Sequence, residues 1–182
     1  MIPLVTVQRA LRDRVEADLA NLWGCEIPPG DGSPGTGHGP ATATKRPAVY
    51  AGRIPPKASL DEDGERIDGG PDAPPLVTVE IADCQDTIRR DTNGTVRVRI
   101  RAWAYSDRQD GHTEALQIVD HLRQSLLARA WLDLSPGHRI TAGDRMTTRL
   151  PDAAEQPEPY WVAEIEYTYR LPQIMRTDEA LP

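Results

Sequence analysis

Two carboxylates on one predicted strand are the first candidates for chemistry in this sequence. Glu164 and Glu166 lie two positions apart in PYWVAEIEYTYRLPQ, residues 159–173, where apolar and polar residues alternate. A period of two predicts a strand with one buried and one solvent-facing side, and residues two apart share a side. The two glutamates could therefore act together as the acid pair of a glycosidase.

A second predicted strand argues against that acid pair. Arg97, Arg99 and Arg101 alternate with apolar residues in TVRVRIRAWAY, residues 95–105, and Glu80 lies in a third predicted strand. Glycosidase catalysis needs one carboxylic acid that stays protonated, whereas neighbouring arginines would keep both glutamates ionised. Opposite charges on adjacent strands stabilise a sheet by about 0.2–1 kcal/mol per pair. We therefore expect a charged ladder on the polar side of a structural sheet.

Other catalytic and ligand-binding patterns are also missing from the sequence. The glycine-rich stretch GDGSPGTGHG, residues 30–39, lacks the Gly-Lys-Ser/Thr of a phosphate loop. The acidic stretch DEDGE, residues 61–65, lacks the pattern of a calcium loop. The histidines are scattered, neither cysteine has a partner at ligand spacing, and no Ser, Cys or Thr has the context of an activated nucleophile. The sequence predicts no catalytic residue, no metal and no cofactor, and thus a protein that is not an enzyme.

Composition sets the class of protein. The chain has 182 residues, the length of one domain, and its hydrophobic fraction is 38%. A formal net charge of -7 and a pI near 5.1 argue against a general nucleic-acid binder. No apolar run approaches the roughly 18 residues of a membrane span, and we recognise no signal-peptide core at the N-terminus. Without an export signal, Cys25 and Cys84 are expected to stay thiols in a reducing cytoplasm.

The predicted elements alternate with two long polar segments. Spacings of three and four predict an amphipathic helix from Leu4 to Leu22, with a stop at Gly24, and a second helix over 111–130. The predicted strands are 47–54, 76–82, 95–105, 145–150 and the last strand. Segments rich in Gly, Pro and polar residues interrupt them at about 25–46 and 55–75. This order predicts an α+β fold: a mainly antiparallel sheet with two amphipathic helices packed on one face, plus a long Gly/Pro-rich insertion.

Three features occur in a recognisable order between residues 75 and 174. A strand ending in AYS passes through Asp110-Gly111 into a helix reading LQIVDHLRQSLL. A short strand ends in RLP at 149–151, and QPEPYWVAEIEYTYRLP gives the last strand a proline-framed aromatic start. The N-terminal helix and RPAVYAGRIP, residues 46–55, precede them. In this combination the chain resembles the tail terminator (tail-completion) proteins of long-tailed bacteriophages, although the 25–45 insertion departs from their compact pattern.

The resemblance implies a virion structural protein without an active site. Proteins of that family form a ring, usually a hexamer, at the head-proximal end of the tail tube. The ring ends tube polymerisation and offers a docking surface to the head connector. The implied partners are further copies of the chain, the major tail tube protein and the head-side connector or stopper protein. DNA would pass through the lumen without sequence-specific binding, no membrane is involved, and the location is the tail or neck of the virion after assembly in the host cytoplasm.

A ring of identical subunits needs one patch that meets a different patch on the next subunit. We expect one single domain over 1–182, with assembly contacts in the insertion and on the arginine strand. Proline is inexpensive to order because its φ is already fixed. The candidate assembly contacts are Ile27, Pro28, Pro29, Pro34, Pro40, Arg97, Arg99 and Arg101. The alternative functions are a neighbouring neck protein (head-tail connector or stopper) and, further away, a small α+β ligand-binding domain or enzyme.

Overall fold

The structure, a computed structural model, describes residues 2–20, 22, 25–26, 44–45, 47–52, 75–85, 94–105, 112–135, 137–152, 156 and 160–172. The helices are α1 (Leu4–Leu19) and α2 (His112–Ala128). The strands are β1 (Cys25–Glu26), β2 (Thr44–Lys45), β3 (Ala48–Ala51), β4 (Leu76–Gln85), β5 (Thr95–Tyr105), β6 (Trp131–Ser135), β7 (His138–Arg149) and β8 (Tyr160–Arg170). No helix in these ranges is long and apolar enough to cross a membrane.

Six of the strands form one sheet in the order β3-β4-β5-β8-β7-β6. Only the β3–β4 pair is parallel, and the other neighbours in this sheet run antiparallel. The two short strands β1 and β2 pair with each other in a separate antiparallel ribbon. The predicted α+β class with a mainly antiparallel sheet is confirmed.

One side of the sheet is apolar because its central strands alternate strictly. In β5 the side chains of Val98, Ile100 and Ala102 are fully buried, and in β8 Ala163 and Ile165 are buried opposite Ala102 and Ile100. The buried residues of both helices belong to the same hydrophobic cluster as these strands. On α1 the cluster takes residues at spacings of four, the helical repeat that the sequence predicted.

The first helix is shorter than predicted. It ends at Leu19 and does not reach Leu22, which lies half-buried beyond it, while Gly24 lies outside the described residues. Pro3 precedes the first turn, where its missing N–H costs no hydrogen bond, and its carbonyl accepts from Thr6 N at 2.9 Å. The apolar spacing continues past the end of the helix, so periodicity alone overestimated its length.

The largest error of the sequence reading is the hairpin between α2 and β8. Only 145–150 was predicted as a strand, and the order of elements lacked β6 altogether. In the structure β6 and β7 form an antiparallel pair joined through Gly137, whose φ of 83° is left-handed and favours glycine. Ile140 is the only buried residue of β7. A strand that is exposed along most of its length shows no apolar alternation, so its sequence carries no period of two.

The fourth strand also runs three residues further than predicted, to Gln85. Its register against β5 shifts between Ile81 and Asp83, so that Asp83 lies opposite Arg97 and Ala82 is the extra residue. A bulge of this kind changes the side to which later residues point. It moves an acidic side chain onto the polar side of the sheet.

Candidate assembly surface

A charged surface lies on the side of the sheet that is opposite to the hydrophobic cluster. Seven of its eight side chains come from β4, β5 and β8, and Arg149 comes from β7. The strand register places Arg99 between Glu80 and Glu166, and it places Arg101 opposite Glu164. The surface, here called the charged ladder, consists of Glu80, Asp83, Arg97, Arg99, Arg101, Arg149, Glu164 and Glu166.

Within the ladder, each arginine of β5 contacts a glutamate of β8. Arg99 Nη2 lies 3.0 Å from Glu166 Oε2, and Arg97 Nη1 lies 3.4 Å from Glu166 Oε1. Arg101 donates from Nε to Glu164 Oε2 at 3.3 Å and lies 3.5 Å from Glu80. The pKa of Arg99 is raised above its usual value, chiefly by the hydrogen bond to Glu166, while partial burial acts in the opposite direction. The predicted ion pairs across neighbouring strands are confirmed.

Glu164 is the most buried member of the ladder, with its side chain 12% exposed. Guanidinium groups of Arg99, Arg101 and Arg149 lie 3.9, 3.3 and 4.0 Å from its carboxylate. A general acid of the glycosidase type needs a site that disfavours the ionised carboxylate. Glu164 instead lies among three guanidinium groups, and this geometry suits a structural ion pair.

Two members of the ladder were missed by sequence reasoning. Asp83 reaches Arg97, with 3.9 Å between Nη2 and Oδ2, because the bulge in β4 turns it to this side. Arg149 ends β7, within the predicted strand 145–150, and stands opposite Glu164 because β7 pairs with β8. No local pattern marks either residue, since both depend on pairing between distant strands.

Near the start of β4 and of β8, the side of the sheet that carries the ladder is apolar, and its residues are buried. Leu76 is 2% exposed and Val162 is 6% exposed, and both lie opposite Trp103 in the register. Pairing between β7 and β8 ends at Arg149, which leaves the first part of β8 without that neighbour. There the side chain of Gln156 accepts from Val162 N at 2.7 Å and donates to Val162 O at 3.1 Å. The side-chain amide of Gln156 thus makes the two backbone hydrogen bonds that a neighbouring strand would make with Val162.

The predicted contacts in the insertion lie outside the described residues: Ile27, Pro28, Pro29, Pro34 and Pro40. What the structure gives is the base of this insertion. There Cys25 pairs with Lys45 and Glu26 pairs with Thr44, so the two ends of the segment meet. The role of those five residues in assembly stays a prediction.

The histidines of α2 have structural contacts. His112 begins the helix, as expected for a first-turn residue, and its ring lies 5.7 Å from that of Trp161. His121 Nε2 lies 2.9 Å from the carbonyl oxygen of Asp18 on α1. Both line an open groove of about 600 Å³ along α2, together with polar side chains such as Asp120. Within the described ranges, no group of three His, Cys, Asp or Glu side chains could hold a metal ion.

No protein-family model matches the chain, and no curated protein matches it. Function must therefore be inferred from the sequence pattern and from the surfaces described above.

Proposed function

We propose that this chain is a tail terminator of a long-tailed bacteriophage. In this role it forms a ring, a hexamer, at the head-proximal end of the tail tube. The ring ends tube polymerisation and provides the docking surface for the head connector. The proposal needs no catalytic residue and no cofactor, because each of these tasks is a contact between proteins.

The observation that carries the proposal is where the three sequence features lie in the fold. Ala104 and Tyr105 of AYS end β5, LQIVDHLRQSLL lies within α2, Arg149 of RLP ends β7, and Tyr160 and Trp161 of QPEPYW begin β8. β5 and β8 are neighbours at the centre of the sheet, and α2 packs on both. The features that resemble the family thus form one packed unit.

In the proposed subunit both helices cover the apolar side of the sheet. The charged ladder and the sheet edges then remain for neighbouring copies, and the Gly/Pro-rich insertion adds contacts to the next ring subunit or to the tube. The side chains of Arg97 and Arg149 are the most exposed of the ladder, at 48% and 57%, and are the arginines best able to reach a neighbour. The heterologous contacts of a closed ring require such distinct patches.

The ladder also fits a surface that DNA can pass without being bound. A protein that holds DNA neutralises phosphates with unpaired Lys and Arg side chains. Here Arg99 and Arg101 are engaged by Glu166, Glu164 and Glu80 within the same chain. The arginine stripe of β5 is therefore not a strip of free positive charge, in keeping with a lumen without sequence-specific binding.

The test is an image of tails assembled by a phage that lacks this gene, beside tails from the same phage with the gene supplied in trans. We expect tubes of uncontrolled length, and normal tails after complementation. Tails of normal length that fail to join filled heads would favour the second candidate, a neighbouring connector or stopper. Tails of normal length joined to heads would reject both roles.

A further inference from the structure

One face of α1 points away from the hydrophobic cluster, and its charges have a definite order. The buried residues of the helix lie on the opposite face, where α1 packs against α2 and the sheet. The solvent-facing residues recur at the helical spacing of three or four positions. This stripe, here called the outer face of α1, consists of Val5, Arg9, Arg12, Asp13, Glu16 and Ala20. Along the helix, both arginines come before both carboxylates.

This order of charges works against the dipole of the helix itself. Acidic residues near the N-terminus and basic residues near the C-terminus stabilise a helix. The first turn of α1 has no acidic residue, its last turn has no basic residue, and Pro3 at the N-cap position has no side-chain acceptor. An arginine four positions before a carboxylate is also the weaker orientation of a helical ion pair. The stability of α1 alone therefore does not explain the charges of its outer face.

The two ends of the outer face are uncharged. Val5 is 51% exposed at the first turn. Ala20 is exposed at the other end, where its backbone angles are still helical, and the neighbouring Ala17 is exposed as well. The distance between packed helices depends on the side chains between them. Small residues at the end of the face therefore let a second helix approach closely.

A second copy of α1 in the antiparallel direction complements this face along its whole length. With the centre of the pair between Arg12 and Asp13, Arg9 lies opposite Glu16 of the second copy, and Val5 lies opposite Ala20. The side chains at the centre are 42% and 62% exposed and also face opposite charges. A parallel pair would instead bring Arg9 against Arg9 and Glu16 against Glu16, so the charges select the antiparallel direction. This direction also places the positive end of each helix dipole beside the negative end of the other.

We propose that the outer face of α1 binds the same face of a second copy of this chain, with the two helices antiparallel. The charge complementarity of the face with itself identifies the partner. The contact is isologous, so it pairs two chains or two rings and is distinct from the heterologous contacts of the proposed ring. Because exposed charges mainly orient a contact and set its specificity, the pairing is reversible and depends on protein concentration.

The first test reverses one charge at a time in the full-length chain and measures association by sedimentation at micromolar to millimolar protein. In Arg9→Glu and in Glu16→Arg, like charges meet twice in the pair, so we expect association at least roughly tenfold weaker than in wild type. An equimolar mixture of the two variants should associate about as strongly as wild type, because opposite charges then meet at both contacts. Arg123→Glu changes an exposed arginine of α2 and should associate like wild type.

Three results would overturn the proposal. The first is a wild-type chain that stays monomeric at every concentration. The second is a single variant, Arg9→Glu or Glu16→Arg, that associates like wild type. The third is a mixture of these two variants that associates as weakly as each variant alone. Circular dichroism of each variant verifies that the chain is folded, and the recovery in the mixture requires two folded chains.

The second test is disulfide cross-linking between separately labelled chains, with Cys25 and Cys84 replaced by Ser. One chain carries Val5→Cys and the other carries Ala20→Cys, and the antiparallel pair brings these positions together. Each variant mixed only with itself should give at least about fivefold fewer cross-links, because its two cysteines then lie about 22 Å apart along the helices. Equal cross-linking in the three mixtures, or a preference for identical positions, would contradict the antiparallel contact.

The helix contact and the terminator role can fail separately. The tails of the null mutant test the terminator role, and the charge reversals and cross-links test the contact between α1 helices. If the mixture of variants recovers association while null-mutant tails are normal, the helix contact stands and the terminator role fails. If null-mutant tails have uncontrolled length while the charge reversals leave association unchanged, the terminator role stands and the helix contact fails.

Discussion

Two polar networks lie on the two sides of this sheet, and they differ in their access to water. One is the charged ladder, whose side chains range from 12% to 57% exposed. The other surrounds Arg14 of α1, whose side chain is only 7% exposed, on the side of the hydrophobic cluster. Both contain arginines and carboxylates. The difference teaches that the environment, more than the type of residue, sets what such a pair contributes.

The buried network joins elements that are distant in the sequence. Arg14 donates to Trp131 O at 2.5 Å and to Ser125 O at 3.0 Å, and its Nε lies 3.5 Å from Asp18 Oδ2. Ser125 belongs to the last turn of α2, where its carbonyl oxygen also accepts from Arg129 N at 3.1 Å and where the helix dipole attracts positive charge. One guanidinium group thus holds α1, the end of α2 and the start of β6 together.

A tyrosine pair completes the buried side. The hydroxyl groups of Tyr167 and Tyr169 lie 3.1 Å apart, and their rings meet edge to face at 5.1 Å. Burial raises the pKa of Tyr167 well above its usual 10.0, and burial also raises the pKa of Tyr169. These hydroxyls stay neutral in the folded protein, whereas an exposed tyrosine ionises near pH 10.

The largest effect is expected from Arg14→Ala. The change removes the guanidinium donor from the carbonyl oxygens of Ser125 and Trp131 and leaves Asp18 without its positive partner, and losing one member of a buried pair costs about 3 kcal/mol or more. Urea unfolding gives the free energy of unfolding. The control is Arg12→Ala on the same helix: Arg12 is 42% exposed and, among the described residues, its side chain binds its neighbour Asp13. The control should stay within about 0.5 kcal/mol of wild type. Equal losses for the two variants would refute the contrast between buried and exposed arginines.

A smaller effect is expected from Tyr167→Phe, and it depends on pH. The pKa of Tyr167 is higher in the folded protein than in the unfolded chain, where it is near 10. The neutral hydroxyl therefore contributes fully to the free energy of unfolding below pH 10, and this contribution is lost as the pH rises through the folded pKa. The wild-type free energy of unfolding should therefore fall above pH 10, and that of Tyr167→Phe should fall less steeply. Below pH 9 the variant should differ from wild type by about 1 kcal/mol, the value of one hydrogen bond. Parallel curves across pH 9–11 would contradict the assignment.

The smallest effect is expected in the ladder. Glu166→Gln should lower the free energy of unfolding by about 0–1 kcal/mol, because water competes for partly exposed ion pairs. The difference should shrink further in 0.5 M salt, which screens exposed charges. Glu164→Gln should cost more within that range, since Glu164 is the more buried of the two. Neither change, alone or combined, should reduce phage infectivity if the protein folds and assembles. A collapse of titre with correctly assembled variants would revive the acid-pair hypothesis.

The strongly periodic elements could be predicted from the sequence. Each of β5, β8 and α2 has one buried side and one polar side. Apolar residues therefore recur with a period of two in the strands and of 3.6 in the helix. The facing of arginines by glutamates followed from the same alternation. The hairpin of β6 and β7 could not be predicted. It is exposed on most of its length, so its apolar residues do not recur with a period of two.

The α+β class, the central strands, and the pairing of arginines on β5 with glutamates on its neighbours could all be predicted from the sequence. Each of these features depends on the pattern of residues a few positions apart. Tertiary structure alone decided that Arg14 reaches the carbonyl of Trp131, 117 positions away, and that a bulge turns Asp83 toward Arg97. It also decided that the side chain of Gln156 binds the backbone of Val162 at the start of β8. These contacts join segments that are distant in the sequence and meet only in the folded sheet. The spacing of neighbouring residues therefore does not predict them.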